Sequence, residues 1–289
     1  MEYLHGPITS HKECFYAHWL SKTESPYDAI KTISGGYVMF DVGDDYSIIP
    51  VKWYETLKLE TKLILHYNDL EFLDSIDPDM LGNITHLGIV DLPKFGEYID
   101  RFKSLKYLEI SFEECNPETF INKLPIGLEG LAIIDYFNTI TRLDNLPLTL
   151  KYLYIDSASI TELNMLPPTI EILIFKNIDF NESIDNLPHG LKILLICSQK
   201  FNQSINNLPA GLEYFGLIRY SCHLQLKYTQ PIMNLPTRLK YFILDHGNYY
   251  YYKDTILGIN PDCNISYDNE LTILKNIAKL FEYEPKIHW

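Results

Sequence analysis

The chain is short of positive charge: 24 Lys and Arg stand against 38 Asp and Glu, a formal net charge of −14. Nucleic acid and anionic membrane both demand a basic face that neutralises phosphate, so neither is expected as a partner. No window approaches the roughly 18 uninterrupted apolar residues that a membrane-spanning helix needs. The opening stretch, Met1 to Pro7, lacks the basic and then apolar order of a secretory leader, which leads to the expectation of an intracellular, cytoplasmic protein. The cysteines (Cys14, Cys115, Cys197, Cys222 and Cys263) are odd in number and never spaced as Cys-x-x-Cys. They are expected to be reduced, buried thiols, forming neither a disulfide framework nor a zinc site.

Catalytic signatures are also missing. There is no His-Glu-x-x-His, no Gly-x-Ser-x-Gly and no phosphate-binding loop. Gly43-Asp44-Asp45 reads as a surface turn, and Asp77-Pro78-Asp79 as a helix or turn start. His66 and His86 would stand on successive strands but lack a third metal ligand. The expectation is a non-catalytic protein with no catalytic residue, metal or cofactor. Sequons at Asn83, Asn181, Asn202 and Asn264 would matter only in a secreted protein.

What the chain does have is repetition. The segment Phe180 to Pro188, Phe-Asn-Glu-Ser-Ile-Asp-Asn-Leu-Pro, returns at Phe201 to Pro209 as Phe-Asn-Gln-Ser-Ile-Asn-Asn-Leu-Pro, 21 residues later. Around it runs a longer template, Leu-Pro-x-x-Leu-(Lys/Glu)-x-Leu-x-Ile. Its Leu-Pro steps begin at Leu124, Leu146, Leu166, Leu187, Leu208 and Leu235, with spacings of 22, 20, 21, 21 and 27. The last spacing is long because an insertion around Ser221 to Tyr228 interrupts the unit. Ile84 to Ile89 and Leu105 to Ile110 keep the template without the proline, and Leu63 to Leu70 fits a looser Leu-x-Leu-x-x-Asn-x-Leu. About nine strands follow, with Ile265 to Tyr267 as a closing one. A period of this size marks a solenoid, in which each unit buries its apolar side only by stacking on its neighbours.

Each position of the template has a physical reading. In Leu187-Pro188-His189-Gly190, proline second and glycine fourth suit a type I turn. The turn feeds a short strand, Lys192 to Cys197, whose alternation points Leu194 and Ile196 inward, with Leu191 closing the core. Each buried Leu or Ile contributes roughly 1.5 to 3 kcal/mol. In the return segment, Phe180 and Phe201 are expected to stack between repeats, and Asn181, Asn202, Asn186 and Asn207 to satisfy turn backbone that has no sheet partner.

The paired motif, Phe-Asn-x-Ser-Ile-x-Asn-Leu-Pro-x-Gly-Leu, resembles the FNIP repeat, a leucine-rich-repeat variant abundant in social amoebae and in giant viruses that infect amoebae. Two copies match closely. Those at 124, 146, 166 and 235 share the Leu-Pro half and lack a good Phe-Asn half, so the resemblance is firm over about residues 119–245. It implies an α/β solenoid of leucine-rich-repeat type with its parallel sheet on the concave face, and a host-cytoplasmic location if the protein is viral. Many proteins of that family resemble F-box adaptors of ubiquitin ligases. Residues 1–60 lack the Leu-Pro-x-Glu-hydrophobic opening of an F-box, so a ligase adaptor with a diverged recruiting segment is the runner-up. Lys12 to Leu20 and Pro26 to Ile33 are expected as short helices and Gly35 to Val42 as a strand. The expected organisation is a mixed α/β cap over 1–55, the array over 56–245 and a C-terminal cap over 246–289. That last cap would hold a helix near 269–283, its apolar side formed by Leu271, Leu274, Ile277, Ala278, Leu280 and Phe281.

Two surfaces can be read from the template. The residue after the first Leu of each unit alternates Lys106, Glu129, Lys151, Glu171, Lys192, Glu213, Lys240, a charge ladder expected to hold register between near-identical units. The outward strand positions form two columns, His86, Tyr107, Gly130, Tyr152, Ile172, Ile193, Tyr214, Tyr241 and Gly88, Glu109, Ala132, Tyr154, Ile174, Leu195, Gly216, Ile243. A solvated sheet face should be polar there. This one is apolar and aromatic, which makes Tyr107, Tyr152, Tyr154, Ile172, Ile174, Ile193, Leu195, Tyr214, Tyr241 and Ile243 the expected site for a protein partner of unknown identity. The competing reading is that the insertion or the run Tyr249 to Tyr252 folds over this face, or that a homo-oligomer buries it.

Overall fold

In a computed structural model of the chain, the described residues are 38–40, 62–65, 74, 78–90, 95–112, 121, 123–135, 140, 142–160, 162–163, 165–219, 228–252, 256 and 260–267. The chain divides into two compact units, with the boundary between Ile110 and Ser111. The first contains β1 (Val38–Phe40), β2 (Lys62–Leu65) and β3 (His86–Val90), followed by β4 (Tyr107–Phe112), which runs across the boundary. β1 pairs parallel to β2 with Val38 opposite Leu63, and β2 pairs parallel to β3 with Leu63 opposite Leu87. The strand expected over Gly35 to Val42 is β1; the expected short helices before it lie outside the described residues. Leu87 and Ile89 of β3 and Leu108 and Ile110 of β4 point into the core, and a short α1 (Pro78–Gly82) and the 3-10 turn Ile99–Arg101 close it with Leu81, Ile99 and Phe102.

Among its described residues the second unit holds seven parallel strands: β5 (Gly130–Asp135), β6 (Tyr152–Ser157), β7 (Ile172–Lys176), β8 (Ile193–Cys197), β9 (Tyr214–Ile218), β10 (Tyr241–Leu244) and β11 (Asn264–Tyr267). Each pairs with the next, so that Leu131, Leu153, Leu173, Leu194, Phe215, Phe242 and Ile265 form one inward column. A period-2 strand fixes the second inward column two residues on, from Ile133 through Phe175 to Leu244, all buried. The chain is a parallel-sheet solenoid, one strand per repeat.

The turns differ from expectation by one residue. The N–H groups of Leu128, Leu150, Ile170, Leu191, Leu212 and Leu239 donate to the carbonyls of Pro125, Pro147, Pro167, Pro188, Pro209 and Pro236 at 3.0–3.2 Å. Proline is therefore the first residue of the turn, not the second, and the apolar residue that closes the core is the fourth. Glycine at the third position, as in Gly190, serves close stacking: a Cβ there would lie 3.3 Å from the Pro168 carbonyl of the preceding repeat. Where threonine occupies the same place, its hydroxyl bonds the preceding repeat instead, Thr149 donating to Leu128 O (2.7 Å) and Thr169 to Leu150 O (2.8 Å).

The return segments stack as the Phe-Asn motif predicts, and the column extends further than the motif. Phe180 lies parallel to Phe201 with ring centroids 5.8 Å apart, Phe201 parallel to Tyr228 at 6.3 Å, and Tyr228 meets Tyr252 at 5.8 Å. Beside the rings, Asn181 Oδ1 accepts the Asn202 N–H and Asn202 Oδ1 accepts the Thr229 N–H, each at 2.7 Å. Tyr228-Thr229 thus fills the Phe-Asn position of the unit at Leu235, contrary to the expectation that this unit lacks one. Tyr252 belongs to α2 (His246–Tyr252), where its hydroxyl donates to Tyr228 O and Gln230 O at 3.2 and 3.0 Å. The tyrosine run therefore places Tyr252 on the return column rather than over the outward strand face. The expected helix near 269–283 lies outside the described residues.

Candidate functional site

Two surfaces compete for the site, and their burial separates them. On the strand face, register aligns Tyr152, Ile172, Ile193, Tyr214 and Tyr241 in one column and Tyr154, Ile174, Leu195, Gly216 and Ile243 in the other. The columns exist as read, but the expectation that they stand open is corrected. Ile193 and Leu195 are 0% exposed, Tyr214 is 2% and Ile174, the most accessible of the buried set, 7%. Tyr154, Ile172 and Ile243 are buried with them, while Tyr107, Tyr152 and Tyr241 are half-buried. Ala132, Cys197 and Ile218 join the same apolar cluster. The side chains interlock: the Tyr214 and Tyr241 rings are 5.4 Å apart, and Leu195 fills the space over Gly216, where a Cβ would fall 2.3 Å from Leu195 Cδ1. A half-buried ion pair, Lys176 Nζ to Asp156 at 3.1 Å, borders this layer, and the Tyr154 hydroxyl donates to the same carboxylate at 3.3 Å.

The physical reason for the difference lies in the alternation rule. An apolar run in a parallel strand signals burial on both faces as readily as a binding face. At the same outward position in the first unit, Glu109 has its carboxyl pushed up to about 7 by desolvation, as an acid on a largely dry face should. On β11, the last strand among the described residues, the corresponding positions are polar, Asn264 and Ser266.

The strand-entry edge is the opposite case. Its ladder forms as expected, resolved into pairs: Lys151 to Glu129 at 3.1 Å, Lys192 to Glu171 at 2.6 Å and Lys240 to Glu213 at 2.6 Å. The glutamate acceptor and its Coulomb field raise the Lys151 pKa. The backbone beneath is equally regular, since Glu129 O accepts both Lys151 N–H and Tyr152 N–H, Lys151 O accepts Glu171 and Ile172, and Glu171 O accepts Lys192 and Ile193. Beside this ladder stand the turn tips. Ile126 is 86% exposed and Leu148, at the same place in the next repeat, 71%; Pro168 follows, also exposed, with Met165 at 68% just ahead of its turn. The tips of later repeats, His189, Ala210 and Thr237, are exposed as well. Sequence reasoning missed this row because it treated the turn as scaffold. The signal was available: an Ile and a Leu at a template position that the turn geometry sends to solvent.

Among the described residues no group of three His, Cys, Asp or Glu side chains is placed to hold a metal ion. His66, half of the pair considered above, lies outside them. Cys197 is a buried thiol outside any disulfide and Cys263 a half-buried one, whose pKa burial pushes up to about 11. No helix among the described residues is long and apolar enough to cross a membrane. Of the segment that would recruit a ubiquitin ligase, only β1 is described.

No protein-family model matches the chain, and no curated protein sequence matches it. A solved structure described as "The crystal structure of CroV588 a novel circular LRR protein structure" superposes with a TM-score of 0.50 at 19% sequence identity, over 81% of this chain and 40% of that one. At that identity the likeness is one of fold: this chain is built as a leucine-rich-repeat-like solenoid. It spans well under half the length of the protein it resembles.

Proposed function

We propose that this chain is a non-catalytic, intracellular protein-interaction scaffold of FNIP type, and that it meets its partner along the strand-entry edge. The observation that carries this reading is the run of three successive apolar turn tips, Ile126, Leu148 and Pro168, with Met165 beside them, held in solvent on a rigid hydrogen-bonded frame. Isolated exposed apolar residues need no explanation, whereas a contiguous row rimmed by charge is the usual mark of a contact surface. Leucine-rich-repeat-like solenoids commonly serve as interaction scaffolds, and the paired Phe-Asn motif with its third, Tyr228-Thr229 version supports the FNIP assignment. On this reading the tyrosine-rich strand layer stiffens the frame.

The test is a triple variant, Ile126→Ser, Leu148→Ser and Met165→Ser. It should unfold at the same temperature as the unaltered chain and lose a partner that affinity recovery from the native host identifies reproducibly. Recovery of the same partner at unchanged yield would overturn the proposal.

A further inference from the structure

We infer that the strand-entry edge pairs with the same edge of a second copy of this chain, antiparallel, about a two-fold axis that passes between the tips of Leu148 and Pro168. This rests on the reading of that edge as a contact surface and names the partner.

The edge is complementary in charge to a second copy of itself. Along the edge the ladder reads Glu129, Lys151, Glu171, Lys192, with successive units in hydrogen-bonded register. Strands of one sheet are about 4.8 Å apart, so a second copy laid antiparallel meets the edge in equal steps. An axis running through a tip would set like charges against each other; through Leu148, for instance, Glu129 would face Glu171 of the other copy and Lys151 would face itself. An axis between tips sets unlike charges together at every step. Alternation of sign therefore makes the edge self-complementary, as a two-fold contact requires.

The apolar row then selects which gap holds the axis. Between Leu148 and Pro168, those two tips face their counterparts at the centre, with Met165 alongside. Ile126 faces His189 outside them, Glu129 faces Lys192 and Lys151 faces Glu171. That is the expected anatomy of an interface: an apolar centre with a charged rim. The side chains of Lys151 and Lys192 are each 44% exposed even while paired within the chain, so both retain surface to offer a second carboxylate.

The experiment uses the full chain in a sedimentation series. A dimer is expected, and Leu148→Ser, on an exposed tip, should weaken it by about tenfold or more, with thermal unfolding unchanged at dilutions where both proteins are monomeric. Glu129→Lys should also weaken it, and adding Lys192→Glu should restore it. Within the chain Glu129 pairs with Lys151 and lies three repeats from Lys192, so rescue by position 192 reports a contact between copies. Ile126→Cys combined with His189→Cys should give a disulfide-linked dimer under oxidation where the unaltered chain gives none; three repeats apart, roughly 14 Å, the two positions cannot bridge within one chain. A monomer throughout the series, or a dimer without the 126–189 cross-link and without rescue, overturns the inference. If the chain is monomeric while the triple serine variant still loses a host partner, self-pairing falls and the scaffold stands; if that partner is also retained, both fall.

Discussion

The outward strand face departs from the exposure its sequence positions suggest, whereas the turn edge keeps it. Strand positions that should alternate with water carry Ile193, Leu195 and Tyr214 and are dry, while turn tips that template logic assigns to solvent carry Ile126 and Leu148 and are wet. The same residue types thus do different work in the two places. On the strand face an apolar side chain lowers the free energy of the fold by leaving water. On the turn edge it remains in water, its hydrophobic free energy unspent and available to an association. Hydrophobicity alone does not distinguish a core from a contact surface; its position relative to the rest of the chain does.

Substitutions can sharpen or break this contrast. The largest effect is expected in the return column, where Phe201→Ala should cost about 3 to 5 kcal/mol in denaturant unfolding because its ring stacks between Phe180 and Tyr228. Leu195→Ala should cost about 2 to 5 kcal/mol if the strand face is core. A cost near zero there would break the comparison and return the face to the candidate binding surfaces.

Glu109 gives a pH-dependent version of the same test. Its carboxyl is raised from 4.5 to about 7 in the folded chain, so the folded state holds its proton more tightly than the unfolded one. Stability from this group should therefore fall as pH rises from about 4.5 through 7 and stay low above, by up to about 3 kcal/mol. Glu109→Gln should remove that slope, with the two proteins differing most above pH 7; parallel pH–stability curves would show that the carboxyl is hydrated.

Gly216→Ala drives a methyl into Leu195 and should cost about 1 to 3 kcal/mol, unless Leu195 can swing out into an open face, in which case the cost vanishes. Least affected should be the turn edge. Leu148→Ser should change stability by no more than about 0.5 kcal/mol, and Lys192→Ala, which breaks one partly exposed ion pair, by about 0.2 to 1 kcal/mol. A large loss from Leu148→Ser would mean that the tip is already packed within the molecule.

Much of the solenoid was legible in the chain because its determinants are local. The Leu-Pro step, the inward Leu and Ile of each strand and the alternating ladder are set by neighbours within a few residues or one repeat away, and the structure places them as the template predicts. The turn register slipped by one, since Leu-Pro-x-Gly and Pro-x-Gly-Leu both satisfy composition and only the hydrogen bond from the fourth residue to the proline carbonyl separates them. Tyr228-Thr229 escaped the template because an insertion displaced it and tyrosine replaced phenylalanine, yet the tyrosine ring stacks in the same slot at 6.3 Å.

The sequence by itself determined that the chain repeats, where its strands run, which side chains point inward and which signs line the strand entries, because periodicity and backbone alternation fix all of these locally. Only the tertiary structure decided that the outward aromatic columns are dry and that Tyr252 extends the return stack. Whether a strand face is dry depends on what lies across space from it, and no local pattern carries that.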